Sequence, residues 1–493
     1  SHERKIDDKI IDELKMQLDS SIDTINGGFG SSPKFPHFPS LIFCIKNINS
    51  DLDRKKIIYT LNRMCVSGIS DPISGGFFRY SVDDLWMIPH FEKMLYDNGP
   101  MMSVLCDSFI HFEDKYYLKK AEEIFNWVDE FMTSEMGGFF STMDADSDGE
   151  EGKYYVFTTE ELEDSFNKSE LSLLNNYLLN LSKPNFEGSH HLHVHRNKEE
   201  SYKEDIKMFD DIFMKLSDIR SKKNIPGIDK KILLSWNCLY IKGMIKLYKI
   251  THTDRYLKSI DKALNFICQN MIEDDFIYSC FNEEACFPGY LDDYAMFASA
   301  LMDYLTIKWD SKYYEICKKI CSNLINDFED KEKGGYFFTS NNHEKLFYRP
   351  KSISDDSVPS GLIYATDALL QMGYLSGEKE FIDSAHKSIN YINKSFGDNM
   401  TSNVSAVNLL RNDDLEREII IVRTDTRAWE EIIKEKAYYQ KYIIFINNDE
   451  SNLPNSIELK KPNHLFAAYV CKGMTCSNPI LDQKEFIEFI NDK

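Results

Sequence analysis

The chain has 493 residues, of which 42% are hydrophobic and 13% aromatic, enough for a sizeable buried core. Asp and Glu number 80 against 58 Lys and Arg, and the net charge of −22 argues against a nucleic-acid-binding or anionic-membrane-binding surface. The sequence predicts no transmembrane helix, because no apolar run reaches about 18 residues, and it shows no signal-peptide pattern. These properties fit a soluble protein with a neutral or cationic small ligand.

Amphipathic helical patterns occupy most of the chain up to residue 411. The clearest lies in 115–134, where apolar residues recur on one face at helical spacing. The segment 183–202 lacks such a pattern and is predicted to be an irregular insertion. The predicted helices are 4–24, 40–48, 53–67, 90–111, 115–134, 159–180, 203–222, 233–250, 254–272, 291–307, 311–328, 359–374 and 379–396.

Two short elements alternate between these helices. A Gly-Gly-aromatic run ends a helix and opens a longer loop at Gly27, Gly75, Gly137 and Gly334. A charged-aromatic corner joins two helices, and its Asp, Ser or Glu suits the N-terminus of the second helix. These corners lie at 114–117, 254–257, 311–314 and 378–381, and the longer loops at 137–158, 274–290 and 334–350 are interpreted as β-hairpins.

The helices in short-cornered pairs predict a mainly α fold. About a dozen helices would form an (α/α)6 barrel of six helical hairpins, with an open superhelical solenoid as the alternative. In either arrangement the tight corners lie at one end and the long loops, with their β-hairpins, at the other. One face would then collect segments that are far apart in sequence, near Lys34, 79–90, Asp144, Trp236, Asp292 and Lys351.

The pattern changes near residue 412. Strand-like apolar runs occupy 417–422, 442–447 and 465–470, with helical stretches near 427–436 and 482–491. The sequence therefore predicts two domains, an (α/α)6 barrel over 1–411 and a small α/β domain over 412–493.

Eleven cysteines are scattered along the chain, mostly beside apolar residues in helical patterns. Dispersed cysteines in an odd number are typical of buried thiols in a reducing compartment, so we expect a cytoplasmic protein. Cys471 and Cys476 are a weak candidate for a metal site or a disulfide, because their spacing differs from that of a CxxC redox pair.

Seven motifs in this order carry a family resemblance: GGFGSSPKFPHFP, GGFFRYSVDDLWMIPHFEKMLYDN, DADSDGEEGKYYVFT, NFEG, LLSWNCLYI, GYLDDYA and RPKSISDDSVPSG. Together they resemble the spermatogenesis-associated protein 20 family, including its bacterial and archaeal YyaL-type members, nearly from end to end. The resemblance implies an (α/α)6 helical part similar in fold to N-acylglucosamine 2-epimerases and six-hairpin glycosidases. It also implies a thioredoxin-like domain that is missing from this chain and that we expect to be its partner. The resemblance does not imply a particular reaction.

Three positions depart from the family pattern. Cys238 stands where Gly usually follows Ser-Trp-Asn, and Leu362 stands where Asn usually follows Pro-Ser-Gly. Gly99 and Pro100 stand where Ala and Gln usually follow Asp-Asn. The change at residue 362 removes a polar side chain from that loop.

The stretch Gly75–Asp97 concentrates candidate catalytic groups. His90 follows Pro89 at the predicted start of a helix, with Glu92 beside it. Sugar epimerisation needs an acid and a base beside a carbon that adjoins a carbonyl, and His moves protons near neutral pH. These residues therefore favour acid/base catalysis, with a helix-capping or core role for His90 as the alternative.

Carboxylates on the long loops are candidates for a different chemistry. Glycoside hydrolysis needs two carboxyl groups about 5–10 Å apart, whereas helix capping is the ordinary use of Asp. The long-loop carboxylates are Asp83, Asp144, Asp146, Asp292, Asp293, Asp355 and Asp356. From this set we select Asp83, Asp144, Asp146, Asp293 and Asp356 as catalytic candidates.

Aromatic and cationic residues near the same loops could line a sugar-binding pocket. Rings would form a floor for the sugar and cations would bind hydroxyl or anionic groups, although core packing and ion pairs are the alternatives. The ligand-binding candidates are Lys34, Arg79, Tyr80, Trp86, Lys93, Tyr96, Trp236, Asn237, Tyr294, Arg349 and Lys351.

Two patterns only partly resemble metal sites. The run Asp144–Gly149 copies the first half of a calcium-binding EF-hand loop, but Tyr155 stands where Glu should close that loop. His191, His193 and His195 would share one face of a strand, but an exposed hairpin is favoured for them. No nucleotide-binding or GxSxG motif occurs, and we predict no metal and no cofactor.

The sequence favours a carbohydrate-active enzyme of the epimerase or isomerase type, with a sugar-like ligand and His90 as acid/base. A glycoside hydrolase that uses two Asp residues is the second hypothesis. The third is a non-catalytic ligand-binding or scaffold module that serves the thioredoxin-like domain.

Overall fold

A computed structural model describes residues 8–492 of the chain, apart from residues 275, 345–346, 415–417 and 461–464. Two compact units make up the chain: Gln17–Ile232 is the first, and Leu233–Lys493 with Ser1–Met16 is the second. The boundary between residues 411 and 412 stays a prediction. None of the described helices is both long enough and apolar enough to cross a membrane.

Helices carry most of both units. The first to appear are α1 Asp8–Ser21, α2 Phe38–Lys46, α3 Asp51–Val66, α4 Leu95–Phe112, α5 Lys115–Trp127, α6 Thr159–Ser165, α7 Lys168–Tyr177, α8 Glu199–Glu204 and α9 Asp210–Arg220. The second unit continues with α10 Leu234–Thr251, α11 Asp254–Asn270, α12 Leu291–Leu305, α13 Ser311–Asn323, α14 Gly361–Ser376, α15 Lys379–Ser395 and α16 Val404–Asp414. Most lie where the apolar periodicity predicts them.

Strands before the C-terminal region are short. In the first unit they are β1 Tyr80–Ser81, β2 Pro89–His90, β3 Lys93–Met94, β4 Thr142–Met143, β5 Asp146–Ser147, β6 Glu150–Glu151 and β7 Ile228–Asp229, followed at the boundary by β8 Ile232–Leu233. In the second unit β9 Ile272–Glu273 pairs with β10 Phe276–Asn282, which pairs with β11 Glu284–Pro288. The hairpin predicted at 274–290 is therefore confirmed.

The helices pack in consecutive pairs within each unit. In the second unit α10, α12 and α14 pack against one another in sequence, and each also packs against the helix that follows it. In the first unit α2 packs with α3, α4 packs with α5, and α2 also contacts α4. Helix α12 is buried on nearly every side, whereas α11, α13 and α15 are buried along one face, as expected for an inner and an outer layer.

The tight corners follow a common backbone geometry. Helices α4, α10 and α14 end at Glu113, His252 and Gly377, each in the left-handed conformation with φ of 62°, 50° and 79°. The residue after each of these is the N-cap of the next helix, α5, α11 or α15. At the first corner the Asp114 side chain accepts a hydrogen bond from Tyr116 N at 2.9 Å. The capping role predicted for this corner residue is confirmed at Asp114.

Lysine side chains fix three of the Gly-Gly-aromatic turns. Each turn begins with an Asp four residues before the first Gly, and a Lys Nζ bonds both the Asp carboxylate and the carbonyl oxygen of that Gly. The Nζ–Oδ2 and Nζ–O distances are 2.5 and 2.9 Å for Lys34 with Asp23 and Gly27, 2.8 and 2.8 Å for Lys93 with Asp71 and Gly75, and 2.6 and 2.9 Å for Lys351 with Asp330 and Gly334. We call this arrangement the lysine clamp.

Glycine is required in these turns. At Gly76 φ is +76°, and a Cβ would lie 2.9 Å from ring atoms of Trp127. The turn can therefore take its left-handed backbone and pack against Trp127 at the end of α5 only without a side chain.

Some local predictions were wrong. The single helix predicted over 159–180 is two helices, α6 and α7. The helix predicted to start at residue 90 begins at Leu95, because Pro89 and His90 pair with β1 and Lys93 and Met94 pair with β4. The loop 334–350 contains no named strand among its described residues, and Phe338 N bonds Pro350 O at 2.8 Å instead.

The C-terminal region has the predicted α/β character. Strands β12 Glu418–Thr424, β13 Ile443–Asn447, β14 Phe466–Lys472 and β15 Thr475–Cys476 lie in the order β13-β12-β14-β15, with β12 and β13 parallel. Cys471 and Cys476 form a disulfide between β14 and β15, one of the two alternatives left open by the sequence. The accompanying helices are α17 Thr426–Ile432, α18 Lys436–Gln440, α19 Asn455–Glu458 and α20 Gln483–Asn491.

The clamp around Asp71 should be the most sensitive to mutation. Asp71 neutralises two buried cations, since Arg220 NH1 also lies 2.9 Å from its Oδ2. The substitution Asp71→Asn would leave both cations without a counter-charge, and we expect it to lower the free energy of unfolding by about 3–5 kcal/mol in urea titrations. Asp330→Asn affects one less buried lysine and should cost less; equal losses for the two variants would contradict this reasoning.

Candidate active site

The first candidate cluster is built on a short hairpin in the first unit. Strands β1 and β2 pair Tyr80 with His90, and the Asp83 carboxylate accepts hydrogen bonds from Leu85 N, Met87 N and Ile88 N at 2.8–3.1 Å. Asp83 thus holds the loop that returns the chain to His90. As a catalytic candidate Asp83 stays a prediction, with its carboxylate engaged in this loop.

Two glutamates face the ring of His90. His90 Nδ1 lies 2.8 Å from Glu151 Oε1, and His90 Nε2 lies 3.6 Å from Glu92 Oε2. The hydrogen bond at Nδ1 favours the tautomer in which Nδ1 donates its proton and Nε2 keeps its lone pair. The His90 side chain is 29% exposed.

Hairpin β5–β6 supplies Glu151. Glu151 pairs with Asp146 in this hairpin, and its Oε1 also accepts a hydrogen bond from Phe91 N at 3.3 Å. Asp146 and Asp144 are exposed, and Asp144 Oδ1 accepts a weak bond from Asp146 N at 3.4 Å. Sequence reasoning selected the aspartates of this turn and missed Glu151, which is the carboxylate in contact with His90.

Aromatic rings adjoin the histidine on one side. Tyr80 stacks on His90 with ring centroids 5.3 Å apart, and Phe35 stacks on Tyr80 at 4.7 Å. The arrangement positions the imidazole and adds an apolar surface beside it.

Arg79 and Asp97 complete the cluster. Arg79 NH1 lies 3.8 Å from Glu92 Oε2, and the Arg79 guanidinium lies 5.9 Å from the centroid of the Tyr96 ring. Burial raises the pKa of Asp97 well above its usual value, Glu92 raises it further and Arg79 opposes this shift. Sequence reasoning did not select Asp97, although it lies in the same motif.

Three other candidates of the first unit lie in its interior. Lys34 and Lys93 are fully buried in their clamps, and burial lowers the pKa of Lys93 to about 8 although Asp71 acts in the opposite direction. Trp86 is also fully buried, and its Nε1 donates to Gly27 O at 3.0 Å. As ligand-binding residues these three stay predictions, with their polar groups engaged inside the protein.

The histidines of 190–195 bond to nearby groups. His191 Nε2 lies 2.7 Å from Gly68 O, His190 Nε2 lies 3.0 Å from Thr159 Oγ1, and His195 Nδ1 lies 3.1 Å from Asn176 O. Among the described residues no group of three or more His, Cys, Asp or Glu side chains is arranged to hold a metal.

A second cluster of carboxylates lies in the second unit, at the start of α12. Asp293 accepts hydrogen bonds from Ser235 N at 3.1 Å and from Tyr290 N at 3.0 Å, so it joins the N-terminal ends of α10 and α12. Asp292 accepts from Gly361 N, the first residue of α14. The two neighbouring carboxylates therefore cap the N-terminal ends of three helices, α10, α12 and α14.

Burial changes the acidity of these carboxyl groups. It is the main cause that raises the pKa of Asp292 to about 7 and that of Asp293 to about 6. Asp355, whose Oδ2 accepts from Ser405 N at 2.8 Å, has its pKa raised to about 6 for the same reason. Asp356, the neighbour selected from the sequence, is exposed.

The remaining candidates of the second unit have these environments. Trp236 is half-buried in the first turn of α10, and Asn237 Nδ2 donates to Leu233 O at 2.9 Å. Tyr294 is buried, and its hydroxyl accepts from Ile277 N at 3.3 Å. Arg349 NH1 donates to Asn341 Oδ1 at 2.8 Å, and Lys351 is held in its clamp. All five stay predictions as ligand-binding residues.

Comparisons with known proteins agree with the family resemblance. A family model described as Glycosyl Hydrolase Family 88 matches residues 221–403. Spermatogenesis-associated protein 20 of Homo sapiens is 26% identical over 96% of this chain and 68% of its own length. The chain is thus similar to the proteins that its motifs indicated, and this prediction is confirmed.

Two solved structures show the fold. Cellobiose 2-epimerase from Bacillus thermoamylovorans B4167 has a TM-score of 0.52 at 11% identity, covering 79% of this chain and 89% of that chain. D-Mannose isomerase has a TM-score of 0.54 at 8% identity, covering 84% and 99%. The predicted (α/α)6 barrel fold, shared with carbohydrate-processing enzymes, is confirmed.

The carboxyl group of Asp292 should make stability depend on pH. Its pKa is raised from 3.8 to about 7 in the folded chain, so the unfolded chain loses this proton first as the pH rises. Stability is therefore lost between about pH 4 and pH 7. We expect Asp292→Asn to reduce the fall in Tm over this range, measured by thermal unfolding, whereas the exposed Asp356→Asn should not. An unchanged pH profile in Asp292→Asn would refute this assignment.

Proposed function

We propose that the protein is a sugar isomerase or epimerase in which His90 transfers a proton at a carbon next to a carbonyl group. The observation that carries this proposal is the placement of His90 between Glu151 and Glu92 on a partly exposed hairpin. Support comes from the fold, which is shared with proteins described as an epimerase and an isomerase.

In this proposal the two ring nitrogens of His90 have different roles. Glu151 accepts the proton on Nδ1 and keeps the imidazole in one orientation, while Nε2 removes a proton from the sugar carbon. The imidazolium that forms is stabilised by both glutamates. Return of the proton from Nε2 to the neighbouring carbon gives the aldose–ketose isomer, whereas an epimer requires a second acid that protonates the same carbon from its opposite face.

A hydrolase is the second candidate, and a specific observation favours it. The residues matched by the Glycosyl Hydrolase Family 88 model include Asp292. Because its pKa is raised to about 7, Asp292 would keep a proton near neutral pH and serve as the general acid that protonates a glycosidic oxygen. Its hydrogen bond from Gly361 N is already part of a helix cap, which makes this the weaker candidate.

We also propose, on the resemblance and the cysteine pattern alone, a cytoplasmic protein that works with a thioredoxin-like domain. If the protein neither binds nor converts any sugar of a broad panel, this non-catalytic role is favoured over both enzymatic ones.

The test is an assay in deuterated water with D-mannose and cellobiose as probes. An isomerase or epimerase forms a new sugar with deuterium at the reacting carbon, and His90→Asn should lower kcat by about 10²–10⁴-fold. Glu151→Gln should also lower kcat, because the imidazole loses the partner that orients it. His195→Asn is the matched control, since His195 bonds Asn176 O away from this cluster, and it should keep full activity.

The same assay separates the two chemistries. A hydrolase would release reducing ends from disaccharides or unsaturated oligosaccharides. If Asp292→Asn abolishes this release and His90→Asn does not affect it, the hydrolase replaces the isomerase as the proposed function. Full isomerase activity in His90→Asn would also overturn the assignment of His90.

A further inference from the structure

We propose that Asp97 and Arg79 form a ligand subsite beside His90 that binds oxygen atoms of a neutral polyhydroxy compound. This inference rests on the proposed function of the same site and specifies its ligand class.

Asp97 is an unusual carboxyl group for a protein interior. It lies in the first turn of α4, is 7% exposed, and its Oδ2 has no hydrogen-bond partner among the described residues. A buried polar atom without a partner costs free energy of desolvation, so such atoms are rare in folded proteins. A ligand that reached this carboxyl group would supply the missing hydrogen-bond partner.

Neighbouring polar groups show that the local backbone can satisfy buried side chains. Asn98, the next residue, accepts from Phe77 N at 2.8 Å and donates to Phe77 O at 3.0 Å and Met94 O at 2.9 Å. The buried carboxylate of Asp71 bonds both Lys93 and Arg220. The carboxyl group of Asp97 thus differs in this respect from the side chains of Asn98 and Asp71.

Arg79 brings a donor to the same place. Its contact with Glu92 is 3.8 Å long, beyond a hydrogen bond, and its side chain is 33% exposed. Its guanidinium lies over the ring of Tyr96, the residue that precedes Asp97. The planar N–H groups of Arg79 can therefore bind a ligand oxygen without breaking a hydrogen bond within the described part of the protein.

The charges of the subsite select the ligand class. Burial favours the protonated form of Asp97, which can donate a hydrogen bond to a carbonyl oxygen or accept one from a hydroxyl group. Glu92 and Glu151 contribute negative charge beside His90, and Arg79 contributes a positive charge. A phosphorylated or carboxylated sugar would meet net repulsion there, whereas a neutral sugar would not.

The experiment measures binding of D-mannose and D-mannose 6-phosphate by titration calorimetry to the full chain and its variants. Asp97→Ala should weaken D-mannose binding about tenfold, the loss expected for one or two hydrogen bonds. Asp97→Asn should restore binding, because an amide also donates and accepts. Wild-type protein should bind D-mannose more tightly than D-mannose 6-phosphate.

Thermal unfolding separates this role from a structural one. Asp97→Ala should leave Tm unchanged or raise it, because it removes an unpaired buried carboxyl group. The matched control is Asp107→Ala, which removes another buried carboxyl group of α4 that does have a partner; it should lower Tm and keep D-mannose binding.

Each outcome is decisive. If the wild-type protein binds D-mannose and Asp97→Ala binds it with equal affinity, the subsite is overturned and the proposed function still stands. Tighter binding of D-mannose 6-phosphate would overturn the ligand class. Wild-type protein that binds no sugar of the panel would overturn the proposed function and, with it, this inference.

Discussion

The lysine clamp is the interaction on which the loops of this protein depend. A buried ammonium group needs a counter-charge and hydrogen-bond acceptors, and the Gly-Gly turn supplies both, as an Asp carboxylate and a glycine carbonyl oxygen. The Asp carboxylate in turn accepts from backbone N–H groups of its own turn, as Asp330 does from Glu332 and Lys333 at 3.1 and 3.0 Å. Each clamp therefore fixes the end of one helix to a segment further along the chain.

The clamp at Lys93 also explains the position of the His90 cluster within the first unit. Lys93 follows Glu92 directly and begins β3, so its bonds to Asp71 and Gly75 set the path of the chain between His90 and α4. Arg79 N donates to Glu92 O at 3.0 Å, which ties the neighbouring strand to the same point. The partly exposed site residues thus rest on a fully buried ion cluster.

The repeated motifs made much of the fold predictable. Apolar periodicity located most helices, the Gly-Gly turns and the corner at Asp114 marked their ends, and the change near residue 412 marked the α/β region. Periodicity failed at Pro89 and His90, because their pairing with β1 is a tertiary contact that outweighs the helical pattern of the following residues. Local apolar periodicity carries no information about which distant strand is available for pairing.

The site was less predictable for a related reason. The sequence around a Lys does not show whether its side chain contacts a ligand or an Asp of the same protein. In the structure Lys34, Lys93 and Lys351 each bond an Asp that is 11–22 residues away. The repeated Asp-x-x-x-Gly-Gly spacing could have indicated the clamp. Nothing comparable marks Glu151, whose role comes from the pairing of β5 with β6 and from the fold that places this hairpin against His90.

The isomerase and hydrolase proposals differ in whether their carboxylates are already engaged in hydrogen bonds. Asp292 and Asp293 each accept backbone hydrogen bonds at helix N-termini, so a catalytic role would have to share their oxygens with the caps that hold α10, α12 and α14. Near His90, by contrast, Glu92 approaches Nε2 and Arg79 only at 3.6 and 3.8 Å, distances that leave room for a ligand to form shorter bonds. Groups that are partly unsatisfied in the free protein gain most when a ligand binds, and for this reason we propose His90, rather than the capping aspartates, as the acid/base.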